Sequence, residues 1–188
     1  MKKMFAAFFA LLLAMAALPA AVVSGLKGYG SPLAGASPDS AQAVIDSAAA
    51  LCPEDACDEM LRAALIIAQT NLRASYAQKA VFSSNKELYE QLKGRYHSTE
   101  ELYLQRDGKY CSIPCAEISD GITEDSRDFP QLSPVASPWD RLNSHADDRA
   151  ACAGVSLRGV NYLCEQGYSA EQALCYYLPD FTLSAHRK

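Results

Sequence analysis

The sequence predicts an α+β fold, a single domain in which helices pack on a small antiparallel sheet. Apolar residues recur every three to four positions over 58–78, which indicates one long helix with a buried face. Asp107 and Gly108 separate two short runs that favour strands, and this dipeptide is typical of a tight hairpin turn. Two further helical runs follow near the end of the chain, so helices flank the sheet in sequence.

The helices of the first half are predicted from their spacing and their end signals. Residues 41–51 are rich in alanine and form the first helix. The second spans 58–78, where the apolar face runs. The third follows the serine pair 83–84, runs through Leu92 and ends at Gly94, because serine caps helix starts and glycine ends helices.

The middle of the chain changes period and predicts a hairpin. Residues 99–105 and 109–116 are its two strands. A long polar connection over 117–139 contains three prolines, and loops of this kind often carry function. Two short helices, over 154–166 and 169–177, complete the domain.

The first twenty-three residues have the pattern of an export signal or membrane anchor. A pair of lysines precedes an apolar run over 4–23, which approaches the roughly 20 residues that span a bilayer. A cleaved signal and a retained anchor helix are both open. Residues 24–40 are rich in Gly, Ser and Pro and predict a flexible linker, which leaves 41–188 as the folded domain. We therefore expect an extracytoplasmic domain that is either secreted or anchored to the membrane.

The charge and the cysteines narrow the classes of partner. The formal charge of the chain is −5 and no cluster of lysine or arginine interrupts it, so the footprint of a nucleic-acid-binding protein is absent. Seven cysteines in an exported domain favour disulfides, with buried free thiols and a metal site as alternatives. Cys164 and Cys175 fall on helical runs and are expected to be small core residues. We expect no metal and no cofactor, because no pair has the Cys-x2-Cys spacing of zinc sites.

Four acids lie at the start of the second helix, namely Glu54, Asp55, Asp58 and Glu59. A carboxyl group that protonates a leaving oxygen needs an apolar pocket that raises its pKa. Acids at a helix start also stabilise the exposed N–H groups and the helix dipole. Four neighbouring acids on one turn favour this second interpretation.

The polar connection contains two stretches suited to binding a sugar. Residues 119–124 (SDGITE) form a compact polar loop, which either holds a ligand by hydrogen bonds or is simply a turn. Trp139, the only tryptophan, stacks on a sugar ring if it is exposed and belongs to the core if it is buried. The three histidines show neither the order of a nucleophilic triad nor a metal-ligand spacing.

Five stretches of the chain, in order, share their patterns with one known family. Glu59–Thr70 (EMLRAALIIAQT) resembles E-A-L-K-A-Q-A-x-A-A-R-T, and Thr99–Lys109 resembles T-x-G-x-V-x-x-x-D-G-K. Ser119–Glu124 is similar to S-x-G-G-x-T-E, and Ser133–Asp140 to V-x-S-P-W-D. Gly154–Tyr168 resembles G-M-S-Q-Y-G-A-N-Y-M-A-E-Q-G-Y. On these motifs the chain resembles the stage II sporulation protein D family of cell-wall proteins.

The resemblance implies an exported, often membrane-anchored protein that acts on peptidoglycan during sporulation. Active members are lytic transglycosylases, in which the glutamate of an E-M-P motif acts as acid and then base and leaves an anhydro-muramyl end. Eight residues before Glu59, that motif falls on Leu51-Cys52-Pro53, so a leucine stands where the acid belongs. Leu157 and Arg158 likewise replace the glutamine and tyrosine of the G-M-S-Q-Y-G motif. Losing one general acid typically costs about 10²–10⁴-fold in rate.

The leading hypothesis is therefore a catalytically degenerate member that binds peptidoglycan or assists a partner hydrolase, as the family's amidase enhancers do. Its predicted glycan-binding surface consists of Ser119, Gly121, Thr123, Glu124, Trp139 and Asp140. One alternative is a divergent lytic transglycosylase with Glu54 or Asp55 as its acid. Another, based only on the cysteines, is an exported thiol or metal protein. The membrane is a further partner if the N-terminal helix is retained.

Overall fold

The computed structural model describes residues 40–99, 101–143 and 151–185. The described residues all belong to one structural unit, residues 35–188. The predicted signal or anchor and nearly all of the predicted linker lie outside the described residues. Within the described ranges, no helix combines the length and the apolar character needed to cross a membrane.

Five α-helices, four short strands and one 3-10 helix make up the described part of the chain. The α-helices are α1 (Ala41–Ala49), α2 (Asp58–Arg73), α3 (Lys86–Thr99), α4 (Leu157–Glu165) and α5 (Ala170–Tyr177). The strands are β1 (Leu102–Gln105), β2 (Cys115–Ala116), β3 (Val155–Ser156) and β4 (Thr182–Ala185). The 3-10 helix is Pro138–Leu142.

α2 is the central helix, because it packs against α1, α3, α4, α5 and β1. From Met60 to Asn71 every side chain except that of Arg62 is buried, as expected for a helix surrounded by protein. The predicted start at Asp58 is confirmed, but the predicted end near Gln78 is wrong. The helix stops at Arg73 because Ser75 takes a left-handed conformation with φ 55°.

Three consecutive polar side chains of α2 are buried and hold three different segments. The Gln69 Nε2 donates to the carbonyl of Thr99 at the end of α3 (3.0 Å). The Thr70 hydroxyl accepts from the N–H of Leu104 in β1 (3.0 Å). Asn71 binds both backbone groups of Ile113, accepting from its N–H (2.8 Å) and donating to its carbonyl (2.9 Å). Because buried polar groups need partners, these bonds fix α3, β1 and the approach to β2 on the central helix.

The bounds of α1 agree with the prediction more closely than those of α3. The first is confirmed as α1. The third begins later than predicted, since the Asn85 side chain caps it by accepting from the N–H of Leu88 (2.8 Å). Its predicted end at Gly94 is wrong, because the helix continues for another turn and buries Tyr96 and Thr99.

The two strand pairs correct the predicted hairpin. The turn is present: Asp107 and Gly108 have φ 52° and 71°, and Arg106 and Lys109 exchange two backbone hydrogen bonds of 3.0 Å. Beyond that bridge the predicted strands separate. β1 pairs antiparallel with β4, which the sequence analysis did not predict, and β2 pairs parallel with β3. Asn71 binds both backbone groups of Ile113, so this residue of the second predicted strand is held on α2.

The α+β class is therefore confirmed, while a single antiparallel sheet is wrong, since the described strands form two small sheets. The last two helices are confirmed with small changes of boundary. α4 begins after β3, where the Ser156 hydroxyl accepts from the N–H of Gly159 (3.2 Å). α5 begins with a capping box of Ser169 and Gln172. α4 and α5 carry several side chains of the candidate functional site.

Candidate functional site

The two stretches predicted to bind a sugar lie side by side. Ile122 and Ala136 form an antiparallel bridge, and the N–H of Thr123 donates to the carbonyl of Val135 (2.8 Å). The Thr123 hydroxyl in turn accepts from the N–H of Val135 (2.7 Å). Gly121 has φ 86°, and a Cβ there would lie 2.6 Å from the Arg141 side chain, so glycine suits this turn. The polar loop and the stretch around Trp139 thus form one unit.

Asp140 is the buried centre of that unit. Its Oδ2 accepts from the Ser119 N–H (3.0 Å), the Ser119 hydroxyl (2.5 Å) and the Ser137 hydroxyl (2.8 Å). All three residues are buried, and hydrogen bonds to a carboxylate are stronger than those between neutral groups. Asp140 therefore fixes the start of the polar loop on the 3-10 helix.

A chain of hydrogen bonds leads from Asp140 to the aromatic residues. The indole N–H of Trp139 donates to the Tyr177 hydroxyl (3.0 Å), which lies 2.6 Å from the Ser137 hydroxyl. An indole nitrogen is only a donor and a carboxylate is only an acceptor. The direction is thereby set: Trp139 donates to Tyr177, Tyr177 to Ser137, and Ser137 to Asp140. Burial raises the pKa of the Tyr177 phenol, so it stays neutral and keeps its proton for this chain.

Three aromatic side chains, Trp139, Tyr162 and Tyr176, form an exposed group that we call the aromatic face. Trp139 stacks on Tyr162, with ring centroids 5.5 Å apart and planes 14° apart. The ring of Tyr176 also contacts Trp139, with ring centroids 5.3 Å apart and planes inclined by 50°. The two tyrosines are 41% and 37% exposed, while Trp139 is partly buried. The Tyr176 hydroxyl donates to the carbonyl of Ala136 (2.8 Å), which joins the face to the polar loops.

The six predicted surface residues divide into two groups. Ser119, Thr123 and Asp140 are buried and bonded internally, so they support the site rather than line its surface. The residues with exposed or partly exposed surface are Gly121, Glu124 and Trp139. The two predicted stretches therefore lie together, and three of the six residues predicted as surface are buried.

Four further residues of the site were not predicted from the sequence, namely Ser137, Tyr162, Tyr176 and Tyr177. Tyr162 and Tyr176 lie on α4 and α5, whose core faces are apolar. An aromatic residue on the outer side of a short helix was the available signal. Its pairing with Trp139 is a contact between distant segments, which a single sequence does not display.

Three of the four acids at the start of α2 have structural partners, each a different one. Glu54 and Asp55 are exposed, and Asp55 lies 3.8 Å from Arg158. Asp58 pairs with Arg95 (2.5 Å), while Glu59 accepts from the N–H of Ala170 at the start of α5 (2.7 Å). Among the described residues, none forms around Glu54 or Asp55 the apolar pocket that a general acid requires, since both side chains are exposed.

The position that matches the family's catalytic glutamate belongs to the core. Leu51, Cys52 and Pro53 are all buried, and Leu51 is 1% exposed. Leu157 and Arg158, which replace the glutamine and tyrosine of the family's G-M-S-Q-Y-G motif, also have structural roles. Leu157 is fully buried, and Arg158 pairs with Glu117 at 2.7 Å. These residues fill and stabilise the region.

All seven cysteines are free thiols. Cys164 is buried as expected, whereas the prediction that Cys175 is a core residue is wrong, since it is exposed on α5. Within the described ranges, no three His, Cys, Asp or Glu side chains are grouped so as to hold a metal ion.

No family model matches this chain, and no curated protein matches it. The likeness to the stage II sporulation protein D family therefore rests on the five motifs alone.

Proposed function

We propose that this protein is an extracytoplasmic, sporulation-associated protein of the stage II sporulation protein D type that binds peptidoglycan glycan strands without cleaving them. The observation that carries the proposal is the aromatic face. Its rings are stacked in series and two are exposed, and sugar rings pack their apolar faces on such surfaces. The adjoining loop supplies polar backbone groups and the exposed Glu124 for the sugar hydroxyls.

Two placements support a binding role over catalysis. Glu54 and Asp55, the acids of the alternative transglycosylase, are exposed to solvent. Leu51, which stands at the family's acid position, is a core residue with no proton to give. In its binding role the domain holds glycan strands for a partner hydrolase, the task that the resemblance implies for amidase enhancers.

The test incubates the purified full-length chain with peptidoglycan sacculi. We expect the protein to sediment with the sacculi, while mass spectrometry of the soluble fraction detects no anhydro-muramyl ends above a buffer control. Anhydro products that disappear in a Glu54→Gln variant would overturn the non-catalytic part of the proposal. A protein that stays in the supernatant would overturn the glycan-binding part.

Two tyrosine variants connect sedimentation to the aromatic face. Tyr162→Ala removes the ring that stacks on Trp139, so we expect about fivefold weaker binding, which corresponds to about 1 kcal/mol. Tyr168→Ala is the matched control, since Tyr168 is similarly exposed at 46% but is not part of the aromatic face. Equal affinities for the two variants would place any glycan contact elsewhere.

A further inference from the structure

Cys57 and Cys164 lie together where the start of α2 meets α4. Cys57 is the N-cap of α2, and its backbone N–H donates to the Asn161 side chain of α4 (3.0 Å). Asn161 and Cys164 are three residues apart on that helix and so share a face. The Cys57 thiol is also among the groups that raise the pKa of the Cys164 thiol. The hydrogen bond from Cys57 to Asn161 therefore brings the start of α2 against the turn of α4 that bears Cys164.

We propose that Cys57 and Cys164 are a redox modification site, where a disulfide forms when the domain meets a disulfide oxidant. The bond would join the start of the central helix to α4, which also bears Tyr162 of the aromatic face. This inference is independent of glycan binding, since it rests on the thiols and their two helices.

The reaction is two successive thiol–disulfide exchanges with a small disulfide, RSSR, such as oxidised glutathione. Cys57 is partly exposed whereas Cys164 is 7% exposed, so Cys57 reacts first. Its thiolate attacks RSSR, forms a mixed disulfide and expels one RS⁻. The Cys164 thiolate then attacks the Cys57 sulfur and expels the second RS⁻. The two thiol protons pass to the two leaving groups, and the two electrons from the protein thiols reduce RSSR to two RSH.

The second exchange is the slow one. Burial, together with the charges of Cys57 and Glu59, raises the pKa of the Cys164 thiol to about 12. Thiolate is therefore scarce at neutral pH, and closure of the disulfide accelerates as the pH rises.

A second pair of cysteines, Cys115 and Cys152, competes with Cys57 and Cys164 for the oxidant but is less accessible. Cys115 and Cys152 interact electrostatically, but they are only 9% and 1% exposed. Neither presents a sulfur that an oxidant can reach as it can reach Cys57. We therefore expect the disulfide to form between Cys57 and Cys164 rather than between Cys115 and Cys152.

The experiment maps the bond by mass spectrometry. The full-length folded chain is equilibrated with oxidised glutathione at pH 8, free thiols are alkylated, and the protein is digested with trypsin and a glutamate-specific protease. Cleavage after Glu54 separates Cys52 from Cys57, and cleavage after Glu165 separates Cys164 from Cys175. We expect a linked pair of peptides that contains Cys57 and Cys164 and disappears on reduction.

The variants and the pH series complete the test. Cys57→Ser is expected to abolish the linked pair and Cys175→Ser, at an exposed position, to leave it intact. Trapping at earlier times is expected to show glutathione on Cys57 before the bond closes, with faster closure at pH 9 than at pH 7. Equal alkylation of Cys57 and Cys164 with and without the oxidant would overturn the proposal. Linked peptides that pair Cys115 with Cys152, in place of Cys57 with Cys164, would also overturn it. Both outcomes are read from the disulfide map of the wild-type protein.

Discussion

Gly159 is the residue at which α4 comes closest to the hydrogen-bonded aromatic core of the site. A Cβ at this position would lie 1.9 Å from the Tyr177 hydroxyl and 2.9 Å from the Trp139 indole nitrogen. Both distances are shorter than any real contact of that kind. The absence of a side chain is what admits the hydroxyl that connects Trp139 to Ser137 and Asp140. A backbone position thus controls the geometry of the aromatic face.

Gly159→Ala is expected to destabilise the protein by about 1–3 kcal/mol, because the methyl group forces Tyr177 out of its place. The loss is measured as a lower urea midpoint. Trp139 is the only tryptophan, so its fluorescence reports the same displacement.

Gly94→Ala is the matched control for that substitution. Nothing lies within 4 Å of a Cβ at Gly94, which is inside α3. Alanine there is expected to stabilise the protein by about 0.5–1 kcal/mol, because it favours the helix. A Gly159→Ala protein with the wild-type midpoint and fluorescence would contradict the close contact.

The junction of α2 and α5 is held by charge as well as by apolar packing. Arg62 pairs with Glu171 in the first turn of α5 (2.7 Å) and lies 3.7 Å from Glu59. Glu59 in turn accepts from the N–H of Ala170 (2.7 Å). Acids beside the first turn of a helix satisfy its free N–H groups and complement its dipole. Glu59, one of the four acids at the start of α2, therefore also stabilises the start of α5.

The Arg62–Glu171 pair is expected to make stability depend on pH. Burial raises the pKa of Glu171, but hydrogen bonds from its own backbone and Ser169, with the hydrogen bond and charge of Arg62, outweigh it and lower the pKa below 4.5. A carboxyl group with a lowered pKa contributes stability that is complete above its unfolded value and is lost as the pH falls through its folded value. We expect Glu171→Gln to cost about 0.5–1 kcal/mol at pH 7.

Urea unfolding of the wild type and Glu171→Gln between pH 7 and pH 3 measures this contribution. The difference between their midpoints is expected to shrink below about pH 4.5. Glu124→Gln, at an exposed position, is the control for the loss of one charge. A difference that stays constant down to pH 3 would mean that the charge of Glu171 does not contribute.

At the scale of the whole molecule, the C-terminal segment returns to pair with the middle of the described chain. β4 pairs with β1 over the register Leu102↔Ala185 to Gln105↔Thr182. Just before β4, Phe181 is buried, and Asp180 accepts from the Ser133 hydroxyl (2.8 Å). β4 therefore pairs with β1 in place of the second strand of the predicted hairpin.

Truncation after Leu178 is expected to destabilise the protein by more than about 3 kcal/mol. It removes the buried ring of Phe181 and leaves the backbone groups of β1 without their strand partner. Against a typical total of about 5–15 kcal/mol, this loss lowers the thermal midpoint by many degrees. Truncation after Ala185 is the control, since it keeps the whole β1–β4 register. Equal midpoints for the two truncated chains would contradict the importance of this pairing.

The sequence by itself determined the features that depend on neighbours along the chain. The α+β class, the start of α2 at Asp58 and the turn at Asp107-Gly108 follow from periodicity, end signals and turn chemistry. These are short-range effects, so one stretch of sequence contains their cause. The same holds for the two stretches that form the candidate site, whose composition marked them as polar loops.

Only the tertiary structure decided the features that depend on distant partners. β1 pairs with β4 rather than with the segment that follows the turn, and Asn71 binds the backbone of Ile113 in that segment across the core. Asp140 is a buried centre of hydrogen bonds rather than a surface residue, and Tyr162 joins Trp139 from another helix. Burial and long-range contacts are set by how the segments pack together, and residue type alone leaves several packings open.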